Sequence, residues 1–250
     1  MRISPSVARR LFVLDFGRFR VRDDGRTIGI QGFLLELATG ERVLVDSGFP
    51  PWYHADPPAA SRRDGLDAFG TIVDLTSEHT PPAQLAKAGV SPDAVSHFFL
   101  THSDIDHVGD AATFGGATLI VGRAERALER PRYFGESRPL AWPAVRDVIL
   151  VDCDTELWPG VTALATPGHS PGHLSLMVDL PTTGTVIAAA DAISRPSQLV
   201  DGFTDAWDAE LARAHAARLM TLARERDAFV IFGHDPRQWL TVRKAPAFYD

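Results

Sequence analysis

Short apolar runs, each closed by a polar or small residue, recur along most of the chain. Their length and their content of Val, Ile, Leu and Phe are typical of buried strands. We predict strands at Leu11–Phe16, Gly29–Leu37, Arg42–Val45, Val95–Leu100, Ala117–Val121, Val148–Val151, Val161–Ala165, Leu174–Val178, Thr185–Ala190 and Phe229–Phe232.

Helical periodicity is strongest in Asp205–Asp227, where apolar residues recur at spacings of four, three and four from Ala212 to Ala223. Shorter helices are predicted at Pro81–Ala88 and Arg123–Glu129. Strand pairs that alternate with helices fit two mixed sheets with helices outside them. The pattern by itself therefore predicts an α/β fold, and the chain offers no convincing linker within residues 1–250, so we expect a single domain.

Two segments, Phe49–Gly70 and Pro131–Pro143, follow neither the helical nor the strand period. Both are rich in proline and aromatic residues. Long irregular segments inside a compact domain are often lids or binding loops. We therefore expect Phe49, Trp52 and Tyr53 to line an apolar substrate channel, with simple anchoring of the loop as an equal alternative.

The segment THSDIDHVGD, residues 101–110, follows a strand and places four metal-ligand side chains within six residues. Side chains alternate along extended backbone, so His102 and Asp104 should point the same way. Asp106 and His107 fall at the entry to a short helical turn and can face a neighbouring point. Two adjacent ligand pairs on one loop favour two metal ions over one.

Three more predicted strands end on residues that commonly bind metals. His169 lies in TPGHSPGH after one strand, Asp191 closes an alanine-rich strand, and His234 follows the strand at Phe229–Phe232. One such loop would usually be solvated surface. Four strand ends carrying ligands are hard to explain by packing, so the sequence predicts a metal site.

Charge, hydropathy and cysteine content disfavour several kinds of protein. The net charge of −7 disfavours non-specific binding to nucleic acid. Because no apolar run approaches the ~18 residues of a membrane span, we expect a soluble, cytoplasmic protein. The single cysteine, Cys153, excludes an intrachain disulfide, and we expect it to be buried as a small apolar side chain.

Taken in order, the motifs HxDxDH, TPGHSPGH, AD and GHD resemble those of the metallo-β-lactamase superfamily of metal-dependent hydrolases. Their spacing and the tail IFGHDPRQW are most similar to the N-acyl-homoserine lactonase branch. The resemblance implies an αββα sandwich, with two divalent metal ions in a cleft at one sheet edge.

The resemblance also implies how the ligands are divided. One metal would bind His102, Asp104 and His169, the other would bind Asp106, His107 and His234, and Asp191 would bridge the two. Zn²⁺ is the first expectation for such imidazole and carboxylate ligands. Beside the site, the resemblance points to Asp46 as support for the metal loop and to His173 and Ser194 as further neighbours of the metals or the substrate.

Two positions depart from the family pattern. Asp104 stands where the family usually has His, and an anionic oxygen in place of a neutral nitrogen should let Fe²⁺ or Mn²⁺ compete better with Zn²⁺. Lactonases of this branch often carry a Tyr shortly after the bridging Asp, whereas here Ala192, Ile193 and Ser194 follow Asp191. Either Ser194 or a Tyr from an insert would have to take its place.

The predicted reaction is the opening of an N-acyl-homoserine lactone or related lactone ring. A hydroxide held between the metals would attack the carbonyl, and Asp106 would pass the proton to the leaving oxygen. Two alternatives stay open: a thioester hydrolase of the glyoxalase II type, for which Arg62, Arg63, Arg123 and Arg126 could bind substrate carboxylates, and a non-catalytic metal-binding protein. Whether the protein forms a homodimer also stays open.

Overall fold

The structure is a computed structural model that describes residues 7–132 and 139–250. Within these residues, a seven-stranded mixed sheet, ordered β4-β1-β2-β3-β5-β6-β7, packs against a five-stranded mixed sheet, ordered β12-β11-β10-β9-β8. The strands are β1 (Ala8–Val21), β2 (Thr27–Leu37), β3 (Arg42–Val45), β4 (Gly70–Asp74), β5 (His97–Leu100), β6 (Thr118–Gly122), β7 (Asp147–Val151), β8 (Thr155–Trp158), β9 (Val161–Ala165), β10 (Leu174–Leu180), β11 (Gly184–Ala190) and β12 (Phe229–Phe232).

Strand β2, in the interior of the seven-stranded sheet, is buried on both of its faces. Phe33 and Leu35 point into the core between the two sheets. Leu34, on the opposite face, packs in a second core beneath the outer helices, together with Phe98 of β5. Each fully buried side chain of this size contributes about 1.5–3 kcal/mol of hydrophobic stabilisation. The long apolar runs of the sequence therefore reflect a sheet that is covered on both sides.

Helices cover the outer face of each sheet. The helices are α1 (Pro51–Ala55), α2 (Pro57–Asp64), α3 (Pro81–Lys87), α4 (Ile105–Val108), α5 (Arg123–Arg126), α6 (Gln198–Asp201), α7 (Ala209–Glu225) and α8 (Pro236–Trp239). Helix α7 packs on the five-stranded sheet through small residues such as Ala212 and Ala216, which lie in one core with Ile187 of β11. The layers are therefore helix, sheet, sheet and helix, as the resemblance implied.

The ten predicted strands are all present, with ends shifted by a few residues. The prediction missed β4 and β8, which are short, partly exposed and paired at sheet edges. Such strands are specified by the neighbour they pair with more than by their own hydrophobic pattern.

The prediction of an irregular segment at Phe49–Gly70 was wrong, because this segment contains α1 and α2. Proline occupies the first turn of both helices, and the Asp56 side chain accepts a hydrogen bond from the Ala59 N–H at 3.0 Å to cap α2. Helices of five and eight residues are too short to show a period. Residues 133–138 of the insert at Pro131–Pro143 lie outside the described residues.

The exposure of Cys153 and the character of the helices bear on two further expectations. Cys153 is exposed, so the expectation of a buried thiol was wrong; it lies in the turn between β7 and β8 at the sheet edge. In the described parts of the chain, no helix combines the length and apolar character that crossing a membrane requires.

Candidate metal centre

Four strands deliver the candidate ligands to one edge of the sandwich. β9 and β11 both run antiparallel to β10, and β12 runs parallel to β11, so these three strands end on the same side. His169 follows β9, Asp191 follows β11 and His234 follows β12. The loop after β5, in the other sheet, adds His102–His107. All seven predicted ligands therefore converge at the carboxyl ends of strands.

Asp46, directly after β3, ties together both ends of the loop after β5. Its Oδ1 accepts a hydrogen bond from the Thr101 N–H at 2.9 Å, and its Oδ2 accepts one from the Thr101 hydroxyl at 2.8 Å. Nδ1 of His107 lies 2.8 Å from the same Oδ2. Asp46 is buried and adopts a left-handed backbone conformation, with φ of 58°. Asp46 is therefore hydrogen-bonded to both ends of the loop after β5.

The histidine rings are oriented by partners of their Nδ1 atoms. Nδ1 of His102 lies 3.0 Å from the Thr101 hydroxyl, and Nδ1 of His234 lies 2.9 Å from the Gly29 carbonyl oxygen. His107 makes the equivalent contact with Asp46. A proton held on Nδ1 leaves the Nε2 lone pair of each ring for the centre, which is the usual arrangement of metal-binding histidines.

Asp191 lies between two groups of histidines. Its Oδ2 is 4.0 Å from Nε2 of His102 and 3.6 Å from Nε2 of His169. Its Oδ1 is 3.9 Å from Nε2 of His107 and 3.1 Å from Nε2 of His234. Each oxygen of this one carboxylate thus faces a different pair of imidazoles.

Asp104 and Asp106 add one carboxylate to each group. Oδ2 of Asp104 lies 3.0 Å from Nε2 of His169 and 3.5 Å from Nε2 of His102. Oδ2 of Asp106 lies 3.6 Å from Nε2 of His107 and 3.8 Å from Nε2 of His234. Burial alone would raise the pKa of Asp104, but its hydrogen bonds and charge interactions with His102 and His169 hold that pKa far below the ordinary value. Asp104 is therefore an anion inside the protein.

Several buried polar atoms at this point have no hydrogen-bond partner in the described structure: Nε2 of His102, Nε2 of His107, Oδ1 of Asp104 and Oδ1 of Asp191. Leaving such atoms unsatisfied costs about 1–3 kcal/mol each. A divalent cation satisfies imidazole nitrogens and carboxylate oxygens together. The ligand atoms of His102, His169 and Asp191 all lie within 4.8 Å of one another, and so do those of Asp106, His107 and His234. These residues fit divalent transition metals.

The backbone around Asp191 is strained to hold this carboxylate in place. Ala190 has a φ of 46°, which is rare for a residue with a side chain. Gly233 passes so close that a Cβ atom there would lie 2.5 Å from the Ala190 carbonyl oxygen and 2.6 Å from Oδ1 of Asp191. The glycine of the GHD motif is therefore required by the close approach of two strand ends.

His173 is not placed as a ligand. Its Nδ1 lies 2.9 Å from the Thr166 hydroxyl, and its Nε2 accepts a hydrogen bond from the Asp191 N–H at 3.1 Å. Both ring nitrogens are thus occupied by the protein. Burial, together with the charges of nearby His102 and His169, lowers the pKa of His173 well below its ordinary value. A neutral His173 therefore holds the backbone of Asp191.

Sequence reasoning missed Glu125, on α5. This carboxylate is fully buried and accepts hydrogen bonds from both the loop after β5 and the loop after β9. No signal in the sequence distinguishes it, because a glutamate on a short, charged helix is normally exposed. Only the approach of the two loops buries it.

A cavity of about 670 Å³ opens over the centre. Its polar end includes Asp106, His169, Asp191 and His234. Aromatic and aliphatic side chains form much of the remaining wall, while charged side chains such as Arg26 and Arg195 also line it. The apolar wall residues are Phe19, Val21, Ile28, Phe49, Leu66, Ala68, Phe69, Ile105, Phe203 and Ala206. The site can therefore hold a small molecule with an apolar part.

Of three residues predicted to lie near the substrate, one lines the cavity and two do not. Ser194 lines the cavity. Tyr53 does not line it, because α1 turns this side chain into the core, where its ring stacks on Phe49 at 5.3 Å. Trp52 also lies outside the lining: its Nε1 donates to Asp64 at 3.2 Å. Within this segment, the aromatic side chains that line the cavity are Phe49 and Phe69.

A four-layered sandwich with a buried His and Asp centre under an open cavity defines a metal-dependent hydrolase. The model of the metallo-β-lactamase superfamily matches residues 31–234, and the chain belongs to this superfamily. The fold, the family and the enzyme class expected from the sequence are thereby confirmed.

Curated relatives cover most of the chain. An N-acyl homoserine lactonase of Bacillus thuringiensis is 32% identical over 225 residues, which are 86% of this chain and 85% of the relative. The N-acyl homoserine lactonase AttM of Rhizobium radiobacter is 31% identical over 232 residues, which are 87% of this chain and 86% of AttM.

Solved structures of similar proteins have the same fold as this chain. A crystal structure of an AiiA variant from B. thuringiensis, with N-decanoyl-L-homoserine at its active site, has a TM-score of 0.82 and 27% identity. That comparison covers 97% of this chain and 100% of the other. An N-acyl homoserine lactone hydrolase with the product N-hexanoyl-L-homoserine at its catalytic metal centre has a TM-score of 0.80 and 28% identity, with the same coverage.

Proposed function

We propose that the protein opens the ring of N-acyl-homoserine lactones or related lactones, using two divalent metal ions. The observation that carries the proposal is the position of Asp191, whose two oxygens face two separate pairs of histidines. The relatives named as lactonases, which match most of the chain, support this substrate class.

The first metal would be held by His102, Asp104 and His169, and the second by Asp106, His107 and His234. Asp191 would be shared between them. Bound there, two cations would lower the pKa of a water molecule toward neutrality and polarise a substrate carbonyl. Zn²⁺ suits these ligands, and the anionic Asp104 favours Fe²⁺ or Mn²⁺ more than a histidine would.

The protein's own groups orient the substrate and move protons. Asp106 lines the cavity, and its partly exposed carboxylate can take up a proton and return it to the ring oxygen as the C–O bond breaks. Ser194 also lines the cavity, where its hydroxyl can donate a hydrogen bond to the substrate in place of the tyrosine found in related lactonases. The side chains of Phe19, Phe49 and Phe203 can hold the acyl chain and exclude water.

A thioester hydrolase of the glyoxalase II type is less well supported. None of the four arginines that the sequence offered for its substrate carboxylates lines the cavity, and two of them are already paired: Arg63 with Asp64 at 2.7 Å and Arg123 with Asp152 at 2.8 Å. A non-catalytic metal-binding protein would not need carboxylates such as Asp106 facing an open cavity. Residues 1–250 as a single domain, a cytoplasmic location and homodimer formation stay predictions.

A substrate panel tests the proposal. Protein loaded separately with Zn²⁺, Mn²⁺ or Fe²⁺ is assayed for acid release from N-hexanoyl- and N-decanoyl-homoserine lactone, for cleavage of a glutathione thioester and for nitrocefin turnover. We expect lactone opening to dominate and to be lost in Asp191→Ala. Strong thioester cleavage without lactone opening would overturn the proposed substrate class.

A further inference from the structure

Glu125 of α5 lies buried between the two loops that carry His102, Asp104 and His169. Its Oε1 accepts hydrogen bonds from the Ser103 N–H at 2.9 Å and the Ser103 hydroxyl at 2.5 Å. Its Oε2 accepts hydrogen bonds from the Ser170 hydroxyl at 2.7 Å and the Gly172 N–H at 3.0 Å. One carboxylate thus receives four donors, two from each loop.

The positions of these donors matter. Ser103 stands between His102 and Asp104, and Ser170 directly follows His169. The turn at Gly172 is pressed against α5, since a Cβ atom on Gly172 would lie 2.2 Å from the Glu125 nitrogen. No side chain fits between the turn and the helix.

Arg132, farther along the same segment, contacts both loops as well. Its N–H donates to the Ser103 hydroxyl at 2.8 Å, and its Nη1 donates to the His169 carbonyl oxygen at 2.5 Å. The segment from α5 to Arg132 therefore fixes the spacing between the two loops, with the carboxyl group of Glu125 buried between them.

We propose that Glu125 is a positioning residue that sets the geometry of one metal site, formed by His102, Asp104 and His169, and leaves the other site unaffected. The inference rests on the two-metal function proposed above. The first site is assembled from two loops that Glu125 joins. The second takes Asp106 and His107 from one loop, and its third histidine, His234, is held by the Gly29 carbonyl oxygen, with no contact to Glu125.

The chemistry of Glu125→Gln makes a sharp test. An ionised carboxylate is acceptor-only and matches four donors, whereas an amide replaces one acceptor with an NH₂ group. In the variant, the new NH₂ group lies opposite the N–H and O–H donors of one loop, so hydrogen bonds to that loop are lost. The volume of the side chain stays almost the same. Misplaced supports of this kind reduce metal affinity about 10–100-fold.

The experiment measures Co²⁺ binding to the full chain by visible absorption and by chelator competition, in two backgrounds. In H234A, the first site keeps all its ligands, and adding Glu125→Gln should weaken Co²⁺ binding about 10–100-fold and change the absorption bands. In H169A, the second site keeps its own ligands, and the same addition should change affinity by less than about twofold, because Glu125 is hydrogen-bonded to none of these ligands and Asp46 holds His107 independently.

Matched variants give the contrast. Glu129→Gln makes the same chemical change at an exposed position near the end of the same segment and should have no effect in either background. Ser170→Ala removes a single hydrogen-bond donor to Glu125 and should reduce Co²⁺ affinity less, again only in H234A. If Glu125→Gln folds poorly, this variant still tests the positioning role.

The experiment distinguishes a failure of the positioning role from a failure of the two-metal function. Equal losses in H234A and H169A, or no loss in H234A, would overturn the positioning role while two metals still bind the wild-type protein. If the wild-type protein itself binds fewer than two equivalents of metal, the two-metal function fails first.

Discussion

A Cβ atom on Gly233 would lie 2.6 Å from Oδ1 of Asp191, closer than real Cβ contacts come. The strand end that delivers His234 therefore passes against the carboxylate that faces both groups of histidines. The glycine of the GHD motif and the aspartate of the AD motif are 42 residues apart in sequence but form one packed contact.

We predict that Gly233→Ala displaces Asp191 and reduces lactone-opening kcat/KM at least about tenfold, together with metal content measured by mass spectrometry. The reason is that the Ala190 carbonyl oxygen also blocks the added methyl group, at 2.5 Å. Gly116→Ala is the control, because a Cβ atom there meets nothing within 4 Å. Full metal content in Gly233→Ala would contradict the prediction.

We predict that Asp104→His shifts metal preference toward Zn²⁺. The substitution replaces a buried anionic oxygen, 3.0 Å from Nε2 of His169, with a neutral nitrogen. Protein grown in balanced metals should contain a ratio of Zn to Mn plus Fe that is roughly tenfold higher in the variant than in the wild type, a change of about 1.4 kcal/mol. Wild-type protein that contains only zinc, and gains no activity from Fe²⁺ or Mn²⁺, would refute the idea.

We predict that His169→Ala and His173→Ala behave differently. His169 faces Asp104 and Asp191 through its Nε2, whereas both ring nitrogens of His173 are bonded to the protein. The first substitution should reduce metal affinity more than about 100-fold. The second should cost about tenfold, because it only releases the backbone of Asp191. Equal metal loss in the two variants would place His173 among the ligands.

We predict that chelated protein loses stability as pH rises from neutral to about 10. Burial alone would lower the pKa of His107, but the charges of Asp106, Asp46 and Asp191 raise it to about 10. A folded-state pKa above the unfolded value of ~6.5 gives stability that is complete below pH ~6.5 and lost as pH approaches 10.

Calorimetry in a chelator should show this fall in melting temperature. Zn²⁺-loaded protein should not show it, because the metal takes the place of the proton on Nε2. His107→Gln, measured in the same chelator, should flatten the profile. A chelated wild-type protein whose melting temperature is constant from pH 7 to 10 would contradict the assignment.

Local sequence determined the strands and the chemistry at their ends. Every predicted strand is present, because a short apolar run rich in Val, Ile, Leu and Phe needs no distant information to be recognised. His102 to His107, His169, Asp191 and His234 were visible because each follows such a run. The pattern of strands and helices predicted an α/β fold, and the order of these motifs indicated the family.

Tertiary structure decided which groups support the candidate ligands and which line the cavity. The sequence pattern around Glu125 is typical of a surface glutamate, but two loops bury it. The pattern around Tyr53 is typical of a channel residue, but α1 directs its side chain into the core. The same holds for Asp191: its sequence position says only that a carboxylate ends a strand. That its two oxygens serve different histidine pairs depends on four strand ends from two sheets meeting at one point, and no local pattern encodes that approach.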